Sequence, residues 1–439
     1  MTGFAYLDGQ LRADAVPLAE IAAAVGTPVY VYSASAMRRR LAAFQAAFQG
    51  QRALFCYALK ANNRLAVVRT LAAAGAGAEV VSGGEIRRAL AAGVAPERIV
   101  YAGIAKGDAD IRLALETGIL QLNVESVPEL ARIAAIAASL GRTAPVAIRV
   151  NPDVAAATHD KISTGRRHDK FGLPWTAAHE VYALARRLPG VAPVGLHLHI
   201  GSQIVDTAPF EAAYGRAVAL FRELRAAGIP LRRLDLGGGF GVRYDTETPL
   251  PPEELARLVR RLTDGLDAEL LFEPGRALVA EAGVLVAGVV YVKETEERRF
   301  LILDAGMNVL LRPALYGASH PILPVRQPAA ESPLVATDVV GPICESSDVF
   351  ARGRALPPLG PGELIAIGSA GAYGAVMASD YNSFRSAAEV LVDGDRFAVI
   401  KPGRPPERQF DDESIPDWLG ATAVAAGTAR GEGPAHDRG

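Results

Sequence analysis

Between about residues 50 and 280 the chain alternates in texture. A short apolar run is followed by a loop, then by an Ala/Leu/Arg-rich stretch whose apolar positions fall three and four apart. The strand candidates, in order, are "ALFCYAL", "AEVVS", "RIVYAG", "LQLNVES", "PVAIRVN", "VGLHLHIG", "RLDLGGG" and "ELLFEPG". Helix candidates between them include "RLAVVRTLAAAG", "GGEIRRALAAG", "DADIRLALETG", "VPELARIAAIAASLG" and "PFEAAYGRAVALFRELRAAG". Most close on a glycine, as a helix C-terminus often does. Eight strands alternating with helices over roughly 230–250 residues predict a (β/α)₈ TIM barrel. An open doubly wound sheet is the rival, but it rarely needs eight such units in a row.

After residue 282 the pattern changes. "AGVLVAGVVYVKETEERRFLILDAGM" reads as a hairpin of valine-rich strands around a charged turn. "PLVATDVVG", "ELIAIGSAGAY" and "AAEVLVDGDRFAVI" add further strands with little helix, which predicts a C-terminal antiparallel β domain. "FAYLDGQL" near the N-terminus reads as strand-turn-strand. The expected division is an N-terminal segment 1–35 pairing with the β domain, a barrel 36–282, the β domain 283–425 and a disordered tail 426–439.

Composition narrows the function. Half of the 439 residues are apolar, enough for a large core, and 46 basic against 48 acidic residues leave a formal charge of −2. No basic stripe suits a phosphate backbone, so nucleic acid is not an expected partner. Apolar runs are broken well before membrane-spanning length. Two cysteines, Cys56 and Cys344, do not make a disulfide framework, and a cytoplasmic location is expected. The N-terminus lacks a basic region followed by an apolar one, so no signal peptide is expected.

The polar residues of the barrel gather at strand ends, where barrel enzymes hold their sites. Lys60 ends the first strand, Glu79 lies in the second with Ser82 at its end, and His197 and His199 lie in the sixth. "GGGFG" ends the seventh and "EPGR" the eighth. Each has a plain structural explanation: a tight turn for the glycines, a packed core residue for a histidine, an ion pair for Glu273. Strand side chains alternate, so His197 and His199 share a face, and only His199, nearer the end, is expected at the site. A lysine amine, a glycine-rich anion cradle, a flat histidine ring and a lone carboxylate are the set that pyridoxal 5′-phosphate requires.

The chain resembles the diaminopimelate decarboxylases, fold-type III pyridoxal-phosphate enzymes related to ornithine decarboxylase and alanine racemase. The matching pieces are "YALKAN", "EVVSGGE", "KISTGRRHDKFGL", "HLHIGSQ", "DLGGGFG", "EPGR", "DAGMNVLLRPALYGASH", "GPICESSD" and "GAYGAVMASDYN", from about residue 55 to residue 382. The resemblance implies that Lys60 is the Schiff-base lysine and that His199 stacks on the ring, with Ser202 near the phosphate. It places the phosphate loop on Gly237, Gly238 and Gly239, helped by Gly275 and Arg276 of "EPGR". The ring-nitrogen carboxylate falls on Glu273, and the acid that protonates the product on Cys344. Substrate contacts fall on Arg276, Arg312, Tyr316, Glu345 and Tyr373, the last also touching the cofactor. No metal is implied. Cys344 and Glu345 come from the second subunit in the family, so a homodimer with shared sites is expected.

The implied reaction is decarboxylation of meso-2,6-diaminopimelate to L-lysine, the last step of lysine biosynthesis. Arg312 suits a distal carboxylate, because its fork can be bidentate, and Glu345 suits a distal ammonium. Three positions depart from the family pattern: Glu79 for a more usual aspartate, Val309 for an aspartate, and Phe384-Arg385 for an arginine-proline pair. The alternatives are a decarboxylase of the same fold acting on ornithine, arginine, carboxynorspermidine or a carrier-linked glutamate; alanine racemase, which Glu273 argues against; and a non-catalytic cofactor-binding regulator.

Overall fold

A computed structural model describes residues 2–154 and 170–419. Most of "KISTGRRHDKFGL" and the whole 426–439 tail lie outside the described residues. Eight parallel strands form the barrel: Ala53–Ala58, Gly77–Val80, Ile99–Tyr101, Gln121–Val124, Ala144–Asn151, Val191–His197, Arg233–Asp235 and Glu269–Phe272. Each pairs with the next in sequence, and the eighth pairs with the first, which closes the sheet. The runs are largely apolar because both faces are covered, one by the barrel interior and one by helices.

Strand six stops at His197, so His199 lies beyond it rather than within it. The reason lies in strand seven, which ends at Asp235 before Gly237 turns the chain at φ 65°. Past that turn, strand six has no ladder to join. Two helices start at the barrel mouth on paired caps. Ser82 accepts the Glu85 amide at 3.2 Å while the Glu85 carboxylate takes the Val81 amide at 2.9 Å. Ser126 and Glu129 repeat the arrangement two crossovers later, at 3.3 and 2.9 Å.

The second sheet is built on Gly283–Glu294, which pairs antiparallel with Arg299–Leu303, Leu364–Ile367 and Val29–Ser33. It is mostly antiparallel, with two parallel pairings. Arg299–Leu303 runs parallel to Val335–Val340, and Val29–Ser33 runs parallel to Ala388–Asp393. The N-terminal hairpin of Phe4–Leu7 and Gln10–Ala13 is tied to this sheet by the Leu11 amide on the Val325 carbonyl at 2.8 Å. Leu11, Leu18, Val29, Val31, Val284, Val286 and Val390 share a separate apolar core there. At the barrel mouth the two parts meet. The Tyr373 amide donates to the Ala61 carbonyl at 2.8 Å, and Asn62 donates to the Gly371 carbonyl at 3.2 Å. Among the described residues no helix is long and apolar enough to cross a membrane.

Candidate active site

A cavity of about 810 Å³ opens at the C-terminal mouth of the barrel, under the second sheet. Lys60 leaves strand one in a single helical turn, Leu59–Ala61, and its side chain is 36% exposed, facing this cavity. Its Nζ lies 3.0 Å from Glu79 Oε1. Burial opposes the ammonium form of Lys60, but Glu79, Tyr373 and Glu273 outweigh it and raise its pKa. Glu79 is fully buried, and burial pushes its carboxyl up to about 7 although Lys60 pulls the other way.

His199 and Glu273 line the same cavity from strands six and eight. Burial, then Arg149 and Lys60, hold the His199 ring neutral. The Gly238 amide donates to His199 Nδ1 at 3.2 Å and fixes the imidazole against the glycine loop. Burial works against the Glu273 carboxylate, yet His197, at 3.4 Å, and Lys60 push its pKa down to about 2.

The glycine loop admits nothing larger. A Cβ on Gly238 would stand 2.1 Å from the Glu273 carbonyl oxygen, and one on Gly239 2.4 Å from that of Gly201. Gly237 donates its amide to Asp235 at 3.1 Å and Gly238 donates to His199, so of the three it is Gly239 that walls the cavity. Arg276 closes this side. It is buried, its Nη2 donates to Ser202 Oγ at 3.0 Å and its Nη1 to the Tyr244 hydroxyl at 2.6 Å, with the Tyr373 ring centroid 4.8 Å away. Gly275 lines the wall between Ala58 and Ala61, each 3.1 Å from where its Cβ would be.

Arg312 and Tyr316 form the outer wall. Arg312 lies 4.4 Å from the Tyr244 ring centroid and donates to His320 Nε2 at 2.9 Å. The other His320 nitrogen donates to the Gly368 carbonyl at 2.8 Å, and burial drives its pKa down to about 3, so the ring stays neutral and can accept from the guanidinium.

The structure therefore gathers Lys60, His199, Ser202, Gly239, Glu273, Gly275, Arg276, Arg312, Tyr316 and Tyr373 around one space. It does not bring Cys344 or Glu345 there. Both are exposed, on a loop of the second sheet whose course is set by Asp348, which takes the Ile343 and Met307 amides at 2.7 and 2.6 Å. Val309 and Phe384 also stand off the cavity: Val309 is core, its carbonyl taking the Tyr30 hydroxyl at 2.6 Å. Sequence reasoning missed Tyr244, His320 and Arg149. It left His197 aside and gave Glu79 no role, yet Glu79 is the residue paired with Lys60.

The donor set fits pyridoxal phosphate. A lysine amine and a carboxylate held ionised face one space, and a wall with no room for a Cβ stands beside a buried arginine and a serine hydroxyl. Comparison with known proteins agrees. Residues 34–280 match the family model described as the pyridoxal binding domain of pyridoxal-dependent decarboxylases. Diaminopimelate decarboxylase of Zymomonas mobilis is 46% identical over 95% of this chain and 100% of its own. That of Vibrio cholerae is 47% identical over 90% of this chain and 94% of its own. The crystal structure of the Helicobacter pylori diaminopimelate decarboxylase complexed with L-lysine superposes with a TM-score of 0.87 at 42% identity, covering 90% of this chain and 99% of that one. On this evidence the chain belongs to the diaminopimelate decarboxylases, a family of pyridoxal-phosphate-dependent decarboxylases.

Proposed function

We propose that this chain decarboxylates meso-2,6-diaminopimelate to L-lysine, the closing step of lysine biosynthesis. The observation that carries the reading is one cavity holding Lys60, a carboxylate kept ionised, and two buried guanidiniums, Arg276 and Arg312. Arg276 suits the cofactor's phosphate, and Arg312 suits a carboxylate at the distal end of the substrate.

Pyridoxal phosphate, when bound, supplies an electron-poor ring that accepts the electron pair left by CO₂. Lys60 is the amine that would attach it. To attack, Lys60 must lose a proton, and the Glu79 carboxylate 3.0 Å away is the adjacent acceptor. Glu273, held ionised, would keep the ring nitrogen protonated. His199, held neutral, would offer the ring an uncharged face. Gly239, Ser202 and Arg276 would hold the phosphate. Arg312 takes the distal carboxylate through the face not turned to His320.

Cys344 and Glu345 stand exposed and away from their own chain's cavity. This supports a homodimer in which the partner subunit's Cys344 donates the product's proton and the partner subunit's Glu345 meets the distal ammonium. An exposed free thiol is otherwise a liability.

The test is to supply the purified chain and pyridoxal phosphate with meso-diaminopimelate and, separately, with ornithine, and to measure CO₂ and L-lysine. Equimolar CO₂ and lysine from the first and none from the second is expected. CO₂ from ornithine alone would overturn the substrate assignment.

A further inference from the structure

Beneath the cavity floor the barrel interior is polar. His197 is 1% exposed and its Nε2 stands 3.4 Å from Glu273 Oε2. Asp235, from strand seven, completes a buried trio whose ligand-type atoms all lie within 4.8 Å of one another. One amide group, Asn123 Nδ2, donates to Asp235 Oδ2 at 3.1 Å and to Glu273 Oε1 at 3.3 Å. Gln121 Nε2 in turn donates to Asn123 Oδ1 at 2.8 Å. Of these five residues only Glu273 lines the cavity.

Two carboxylates this close in a dry interior do not both stay ionised unless a cation stands with them. Strand five brings Arg149, but its guanidinium pairs with Glu125 at 2.9 Å. Of the cations that act on Glu273, His197 acts most strongly, ahead of Lys60. Neither of its ring nitrogens makes a hydrogen bond of ordinary geometry among the described residues. A neutral imidazole there would be a polar ring buried without a partner, which is costly. An imidazolium beside Glu273 is what the site stabilises.

We propose that His197 is a positioning residue: as an imidazolium below the cavity floor, it holds Glu273 ionised so that Glu273 can keep a proton on the cofactor's ring nitrogen. The inference rests on the reading that the cavity takes pyridoxal phosphate. His197 acts only through Glu273 and touches neither cofactor nor substrate. The charges that face it divide cleanly. Asp235, Glu273 and Glu125 favour the charged ring, whereas Arg149 opposes it and His199, held neutral, carries no charge against it. Burial opposes the charge too, but Glu273 and Asp235 outweigh it and raise the pKa. A raised histidine pKa means that the charge is present at lower pH and is lost as pH climbs through the raised value. Asp235 is the member of the trio that yields: burial and Glu273 push its carboxyl up to about 7.

The experiment compares two ligands. One is pyridoxal 5′-phosphate. The other is its 1-deaza analogue, in which a C–H replaces the ring nitrogen. His197→Gln keeps an N–H donor but removes the charge. In this variant, affinity for pyridoxal phosphate is expected to fall about tenfold or more while affinity for the analogue changes by less than about threefold. Equal losses for both ligands would show a merely structural histidine and overturn the proposal. A wild-type chain that binds neither ligand would instead overturn the cofactor reading, and this inference with it. A second measurement needs no folded variant of His197. In the cofactor-free wild-type chain, the His197 ring should titrate above an ordinary histidine by NMR, and Glu273→Gln should lower it. A ring that is neutral throughout would contradict the proposal.

Discussion

Lys60 and Lys106 both place an amine near the mouth of the barrel, and they meet opposite surroundings. Lys106 sits in the loop after strand three with a side chain that is 0% exposed. Its ammonium donates to the Gly103 carbonyl at 2.5 Å, the Asn123 carbonyl at 2.7 Å and the Glu129 carboxylate at 2.7 Å. An ammonium has three donors, so this one is filled. Lys60 faces the cavity with one carboxylate, Glu79, as its hydrogen-bond partner. The electrostatics differ in the same sense. Burial dominates at Lys106 and lowers its pKa despite Glu129, whereas at Lys60 the surrounding acids overcome burial. Burial and an ion pair alone do not mark a reactive lysine. An amine with donors to spare, turned toward a cavity large enough for a ligand, does.

Two substitutions sharpen the contrast. Lys60→Ala is expected to lower turnover of meso-diaminopimelate by about 10³-fold or more, the scale on which loss of a covalent catalytic group registers. Its effect on chemical unfolding should be the smaller of the two, because Glu79 escapes isolation by taking a proton. Lys106→Met reverses the order. It strands Glu129 in a dry site and should cost about 3–5 kcal/mol in unfolding free energy. The folded fraction should keep its turnover within a few-fold. Denaturant titration beside CO₂ release distinguishes the two. If Lys106→Met abolished turnover without loss of stability, the distinction between a filled and an open lysine would fail.

The barrel was legible because each of its strands is buried on both faces and reads as an apolar run between turn signals. Val29–Ser33 was not, since its partners, Gly283–Glu294 and Ala388–Asp393, lie more than 200 residues away and leave no local period. The mouth residues were visible as polar groups at strand ends, and Lys60, His199, Glu273 and Arg276 do share one cavity. His197 was set aside on the alternation argument, which fits its absence from the cavity wall but passes over its contact with Glu273. Gln121, Asn123 and Asp235 carried a signal that went unused: polar side chains inside otherwise apolar strand runs. Tyr244 and His320 reach the site from loops, where no periodicity reports direction.

The central claim is that Lys60 is the amine that takes the cofactor. Reducing the cofactor-loaded chain with borohydride and mapping its peptides by mass spectrometry tests it directly. The account expects a pyridoxyl phosphate adduct on Lys60 and an unmodified Lys106. An adduct on Lys106 or any other lysine, with Lys60 unlabelled, would contradict it.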